Sequence, residues 1–426
     1  MLMSYNNHLT IHVTGVYMHH TNTGIAGKKV YIPYMSDAAY ALSAAFRRCG
    51  VDSSVMDEPD ESTLDFGLKF TNGNECMPCF VTTGDIIKVI EKPDFDAKKS
   101  AFFMPTSPGP CKFGQYNRLH EMVLDNLGYN EVEFLVPSAQ KSYTDFIGDK
   151  ATLFRRVAWQ GCVAVDTLEK ALYRVRPYET TKGDAVSVYK ECLNLVVDAT
   201  ESGKDIYDTM EVCAKKFGKI PRKDELRPLI GVVGEIFLRL NKFTNNFTIE
   251  KVEALGGEVS VVPTYKWITF TTYEYTVNAF RNRKVKDMFL SFLVNYYQKK
   301  DETGMFRPFK KLLRHHKETS IKEILSYSKK YLDLSLGGEA ILTVGESVDF
   351  AKKGYSGVIS IHPFHCMPGS IVQIVSKKFR EDLNNFPWIN LWFDGQESTN
   401  LMLRLEAFMH QAKQWRGGKN DFSEAA

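Results

Sequence analysis

No stretch of this sequence is apolar for long enough to cross a bilayer. The best candidate, MFLSFLVNYY (288–297), reaches about half of the roughly 20 residues a spanning helix needs, and it is interrupted by polar side chains. The opening residues, MLMSYNNHLTIHVTGVYMHH, lack a basic segment followed by an apolar one, so no secretory leader is expected and a cytoplasmic location is. Neither sign of charge dominates: 54 Lys and Arg against 51 Asp and Glu leave +3. Without a long basic tract, that balance argues against a dedicated polyanion binder. Cysteine is scarce, with 8 in 426 residues, too few for a disulfide scaffold. In a reducing compartment, any cluster among them reads as metal-binding or catalytic. No repeat of fixed period and no low-complexity block is present.

What the chain does contain is an ordinary globular composition, 44% hydrophobic and 25% charged, over a length that suits two or three domains. KKVYIPY (28–34) has strand length, and SDAAYALSAAFRRCG (36–50) puts Ala38, Leu42, Ala45, Phe46 and Cys49 on one helical face. A helical pattern near 78–91, a strand-like SAFFMP (100–105), a helical FGQYNRLHEMVLDNLG (113–128) and EVEFLVP (131–137) continue the alternation. This rhythm predicts a parallel sheet wrapped by helices. Residues 140–226 read as charged and helical. The strand pattern returns at RPLIGVVGE (227–235) and GGEVSVVP (256–263), followed by long helices from about 271 to 330. Helix 339–353, strand GVISI (357–361), helix 370–383, strand WINLWFDG (388–395) and helix 397–415 complete the series. The expected fold class is α/β: two doubly wound parallel-sheet lobes of Rossmann or flavodoxin-like type, 1–139 and 227–416, joined by a helical region, 140–226, with a flexible tail at 417–426.

The chemistry centres on FTNGNECMPCFVTTGD (70–85), where Cys76 and Cys79 stand three apart at a helix start. Cys111, in FFMPTSPGPCKFG, and Cys366, in ISIHPFHCMPGS, each occupy a loop between a strand and a helix. Such loops line the ligand crevice of open α/β sheets, and helix N-termini there favour thiolates and anionic clusters. Cys76, Cys111 and Cys366 are therefore expected to meet across a crevice, with Cys79 beside them. Three chemistries remain open. Thiolates from Gly/Pro-rich loops suit an iron–sulfur cluster. His362 and His365 could complete a Cys/His zinc site, and a thioredoxin-like dithiol is the third option. Cys49, Cys192 and Cys213 lie among apolar neighbours in helical patterns and read as packing residues, as does Cys162 in AWQGCVAVD.

The segments NECMPCFVTTGD, MPTSPGPCKFGQY, RPLIGVVGEIFLRLNKFTNN, HPFHCMPGS and WINLWFDGQESTNLMLRLEAF together resemble the 2-hydroxyacyl-CoA dehydratase superfamily, in its activase-related, cysteine-bearing branch. The resemblance runs from about residue 28 to 415. It implies an oxygen-sensitive [4Fe-4S] protein, a homo- or heterodimer, that receives electrons from a partner ATPase. In that family the electron reaches a thioester carbonyl of an acyl-CoA, and the ketyl radical so formed expels a poor leaving group. By motif, Cys76, Cys111 and Cys366 match the cluster cysteines. Cys79 is a candidate fourth ligand that would close the cluster and suit it to electron relay. No catalytic residue is assigned. The family's activator carries an Asp-x-Gly-Ser/Thr phosphate loop that has no counterpart here. The nearest lookalike, NTGIAGKK (22–29), lacks the first glycine of a P-loop. The implied activator is therefore a separate ATP-hydrolysing chain. A non-catalytic metalloprotein or small-molecule binder is the alternative.

Other features read more plainly. GVVGE (231–235) suits a tight strand-to-helix turn, and Glu235 a helix cap. His362 and His365 could donate to a cluster or simply be satisfied in their loop. RHHKE (314–318) reads as a solvated basic face, and the aromatics of 271–308 as helical core.

Overall fold

The computed structural model describes Ile25 and residues 27–107, 111–137, 144–315, 318–396 and 400–415. Half of the phosphate-loop lookalike at 22–29 falls outside them, as do all of the 417–426 tail and the opening stretch considered as a leader.

Eight strands among the described residues form two sheets of four. The first contains β1 (Lys29–Ile32), β2 (Ser53–Val55), β3 (Ser100–Phe103) and β4 (Glu133–Leu135), in the order β2-β1-β3-β4. The second contains β5 (Leu229–Gly234), β6 (Glu258–Val261), β7 (Gly357–Pro363) and β8 (Trp388–Phe393), in the order β6-β5-β7-β8. Every pairing is parallel: Val30 lies opposite Ser53 and Ala101, and Ile359 opposite Val232 and Ile389. The chain is thus α/β with two all-parallel sheets.

Parallel strands need helical crossovers, and those helices bury both sheet faces. Val30, Ile32, Ala101 and Phe103 pack with Phe46 and Phe154, whereas Tyr31, Phe102 and Phe134 turn the other way toward Ile86, Ile87 and Val123. In the second sheet Ile230, Val232, Ile359 and Ile361 face Leu405 and Phe408, while Val233 and Val358 face Val344, Val372 and Phe379. Helices Ala151–Val175, Asp184–Ser202 and Ile206–Gly218 build a further core that includes Cys162, Cys192 and Cys213. Cys49 is buried behind the first sheet.

The helix Met77–Ile90 bridges the two halves. Met77, Phe80 and Val81 enter the core of the second sheet, and Ile86, Ile87, Val89 and Ile90 that of the first. It crosses helix Glu61–Lys69 at two glycines: a Cβ on Gly84 would lie 1.9 Å from the Thr63 carbonyl oxygen, and one on Gly67 1.9 Å from that of Phe80. Asn241 Nδ2 also donates to the Tyr34 carbonyl (3.1 Å), and Lys242 pairs with Glu58 (3.0 Å).

The structure corrects the sequence reading in three places. Strand β2 and helix Glu61–Lys69 were not expected. The aromatics of 271–308 divide: Phe270 and Phe306 are core, but Phe280, Phe289 and Phe292 are exposed on the helical hairpin Tyr265–Arg281/Val285–Phe306. Within 314–318, Arg314 pairs with Glu258 (2.7 Å) and Glu318 with Lys170 (2.5 Å), so these two belong to an ion-pair network rather than a solvated face.

Candidate functional site

Three of the four singled-out cysteines are the residues that begin helices. Cys76 is the N-cap of Met77–Ile90, and Cys366 that of Met367–Asp382. Each is followed by Met-Pro, which puts a proline in the first helical turn, where its missing N–H breaks no bond. Cys111 caps the short 3-10 turn Lys112–Gln115, which runs into helix Tyr116–Asn126. The chain reaches Cys111 from β3 and Cys366 from β7, the strands that occupy the same station in their sheets. Just before Cys366, His365 adopts a left-handed backbone (φ 60°) that turns the chain into the helix. A fourth helix start lies after β5, where the N-cap Glu235 accepts from Leu238 N–H (2.9 Å). Gly234 makes that turn possible, since its φ is +111° and a Cβ there would sit 2.0 Å from the Ile361 carbonyl oxygen.

The thiols affect one another electrostatically. A charge on Cys76 opposes ionisation of both Cys111 and Cys366, as do charges on Glu235 and Glu339. Burial is the main cause of the upward shift in each case. Cys111 is exposed as a residue, yet the groups crowding its sulfur still push the thiol up to about 11; fuller burial carries the Cys366 thiol higher, against the pull of the Gly369 N–H, which donates to Cys366 Sγ (3.4 Å). Cys76 is raised by burial too, with Lys112 and a hydrogen bond from the Tyr116 phenol opposing. Tyr116 is itself buried, and its phenol is pushed well up by burial and then by Cys76, Glu235, Cys79 and Cys111.

Cys79 belongs to a different setting. It lies inside the helix, 2% exposed, and packs with Cys76, Met104 and Tyr116. Burial raises its thiol strongly, followed by Glu75 and Cys76; neither Cys111 nor Cys366 contributes. The histidines also part company. His362 is buried on β7, with Nε2 2.7 Å from the Ser360 hydroxyl and its pKa lowered by burial to about 3. His365 is exposed.

Sequence reasoning did not find Tyr116, Arg239 or Glu339. Arg239 is buried, donates to Glu339 Oε1 (2.9 Å), the Val262 carbonyl (3.0 Å) and the Gly234 carbonyl, and lies near Glu235. One guanidinium between two carboxylates leaves a surplus of negative charge, which raises the cost of ionising both. Burial raises Glu235, and Glu339 is pushed up to about 8 by burial, with Arg239 opposing and Glu235 adding. Burial and mutual repulsion thus favour the protonated form of this pair, whose charges also bear on Cys111 and Cys366. Only the G-E-x-x-x-R spacing of Glu235 and Arg239 could have signalled it, because Glu339 comes from a helix 100 residues further on.

As donors, three thiols at helix N-termini have the chemistry an iron–sulfur cluster needs, and the Gly369 N–H already shows the hydrogen bond its sulfurs seek. Among the described residues, no three His, Cys, Asp or Glu side chains stand close enough together to hold a metal ion. A cluster would have to draw the thiols inward. No helix among the described residues is long and apolar enough to cross a membrane. Compared with known proteins, the chain matches no family model and no curated protein.

Proposed function

We propose that this chain is a low-potential [4Fe-4S] protein, resembling components of 2-hydroxyacyl-CoA dehydratases, that takes electrons from a separate ATP-hydrolysing activator for the radical reduction or dehydration of an acyl-CoA or related substrate. One observation carries the reading: Cys76, Cys111 and Cys366, far apart in sequence, each begin a helix and lie within electrostatic reach, Cys76 acting on both of the others. The shared strand order, with helices on both sheet faces, suits two doubly wound, flavodoxin-like lobes whose ligands lie beyond the carboxyl ends of the strands.

In this reading Cys76, Cys111 and Cys366 hold the cluster, and Cys79 packs behind Cys76 without serving as a ligand. When bound, the cluster supplies single electrons at low potential. The Tyr116 phenol and Gly369 N–H orient sulfur by hydrogen bonding. The Glu339 carboxyl, kept protonated near neutral pH, gives its proton to the oxygen of a leaving hydroxyl, and Arg239 holds that carboxyl in place.

Anaerobic reconstitution tests this directly. The wild-type chain should take up about four irons and about four acid-labile sulfides and absorb near 400 nm. Cys76→Ser, Cys111→Ser and Cys366→Ser should each lose most of that absorbance, and Cys79→Ser should keep it. Zinc without sulfide, or a Cys366→Ser protein with undiminished sulfide, refutes the assignment.

A further inference from the structure

The base of the hairpin of helices Tyr265–Arg281 and Val285–Phe306 is packed into apolar core through Tyr265, Phe270, Met305 and Phe306, but toward its turn the hairpin has a polar seam and an apolar outer face. Along its seam Asn295 Nδ2 donates to Thr276 Oγ1 (3.1 Å) and Gln298 Nε2 to Thr272 Oγ1 (3.0 Å), and Ser291 is fully buried. Facing outward are Phe280 (58% exposed), Val285 (76%), Phe289 (67%), Leu290 (52%), Phe292 (68%) and Tyr296 (57%). A hairpin that ends in water has the opposite arrangement. At 150–250 Å² per large side chain, these six present on the order of 700 Å² of apolar surface, more than a monomer ordinarily exposes in one patch. That approaches the roughly 800 Å² that each partner of a stable complex contributes.

Sequence spacing says what kind of partner fits. Val285, Phe289, Phe292 and Tyr296 follow one another at steps of four, three and four, the alternation with which one helix zips against another. A stripe of this kind is self-complementary about a two-fold axis. A lipid surface fits poorly. Arg281, Arg283, Lys284 and Lys286, all exposed at the turn, would have to enter the hydrocarbon first.

We propose that two copies of this chain associate through the hairpin, with the Val285–Phe289–Phe292–Tyr296 stripe of one meeting the same stripe of the other. The inference does not depend on any cluster being bound.

Sedimentation equilibrium of the full chain at micromolar concentration tests it. The wild type should show twice the 48.5 kDa chain mass. The double substitution Phe289→Glu/Phe292→Glu removes two apolar anchors and should weaken association by about 100-fold, giving the single-chain mass. Its far-UV circular dichroism should be unchanged, because the seam of Thr272, Thr276, Ser291 and Asn295 is untouched. Val285→Glu, at the most exposed of these positions, is the second probe and should weaken association by about tenfold. A wild-type monomer overturns the proposal, as does a dimer that survives both substitutions. So does a single chain that sediments with anionic vesicles or pairs only with a different protein.

Discussion

Asp85 offers a test of how the helix carrying Cys76 is held. It lies in Met77–Ile90, 2% exposed, and neither carboxylate oxygen has a hydrogen-bond partner among the described residues. Burial pushes its pKa from 3.8 up to about 8, with Lys88 pulling the other way. Between those two values the folded chain keeps a proton that the unfolded chain releases. The contribution is fully present below the unfolded pKa and is lost as pH rises toward the folded one. Stability should fall through this window by about 1.4 kcal/mol per pH unit, or on the order of 4 kcal/mol between pH 5 and pH 8. Asp85→Asn removes the titration. Its amide, equally short of partners, costs a roughly pH-independent 1–3 kcal/mol. The protonated carboxyl is just as short of partners, so the variant should match the wild type below about pH 4 and gain on it steadily toward pH 8, judged by urea midpoints across this range. Two pH profiles that run parallel would refute the reasoning.

Two further expectations concern the same neighbourhood. Gly84→Ala sets a methyl against the Thr63 carbonyl, where only 1.9 Å is available, and should cost at least about 1–3 kcal/mol in urea unfolding. A cost of a few tenths would mean that the two helices part easily. Arg239→Met leaves Glu235 and Glu339 without their cation. It should cost about 3–5 kcal/mol near pH 8 and distinctly less near pH 5, where burial keeps the Glu339 carboxyl protonated. Equal losses at the two pH values would show that Arg239 acts through packing and its carbonyl hydrogen bonds rather than through its charge.

Alternation of apolar runs was enough to read the two parallel sheets, because doubly buried strands such as VYI and GVISI stand out from amphipathic helices. It failed where burial does not require hydrophobicity. In FGLKF, Phe66, Leu68 and Phe70 alternate as in a strand, yet the segment is largely helical, and its contact face is made by Thr63 and Gly67, small residues that permit close crossing. Near the turn of the 265–306 hairpin the same logic misled in reverse: the seam is Thr, Ser and Asn, while Phe280, Phe289 and Phe292 point away. Cys76 and Cys366 were legible because each carries the helix-start signature Cys-Met-Pro on the chain itself. Tyr116, Arg239 and Glu339 were not, since their meaning comes only from company supplied by remote elements.

The split allegiance of the Met77–Ile90 helix has a mechanical consequence. Its first turn is wedged among side chains of one half and its last turns among those of the other, so Cys76 cannot travel with either half alone. Cys366 is rooted in the half that receives Met77 and Phe80, which makes the span between these two sulfurs the stiff side of a triangle. Cys111, exposed and part of no packed core, is the corner with freedom to adjust. Binding of the proposed cluster would then register first as a change in how readily that one thiol is alkylated.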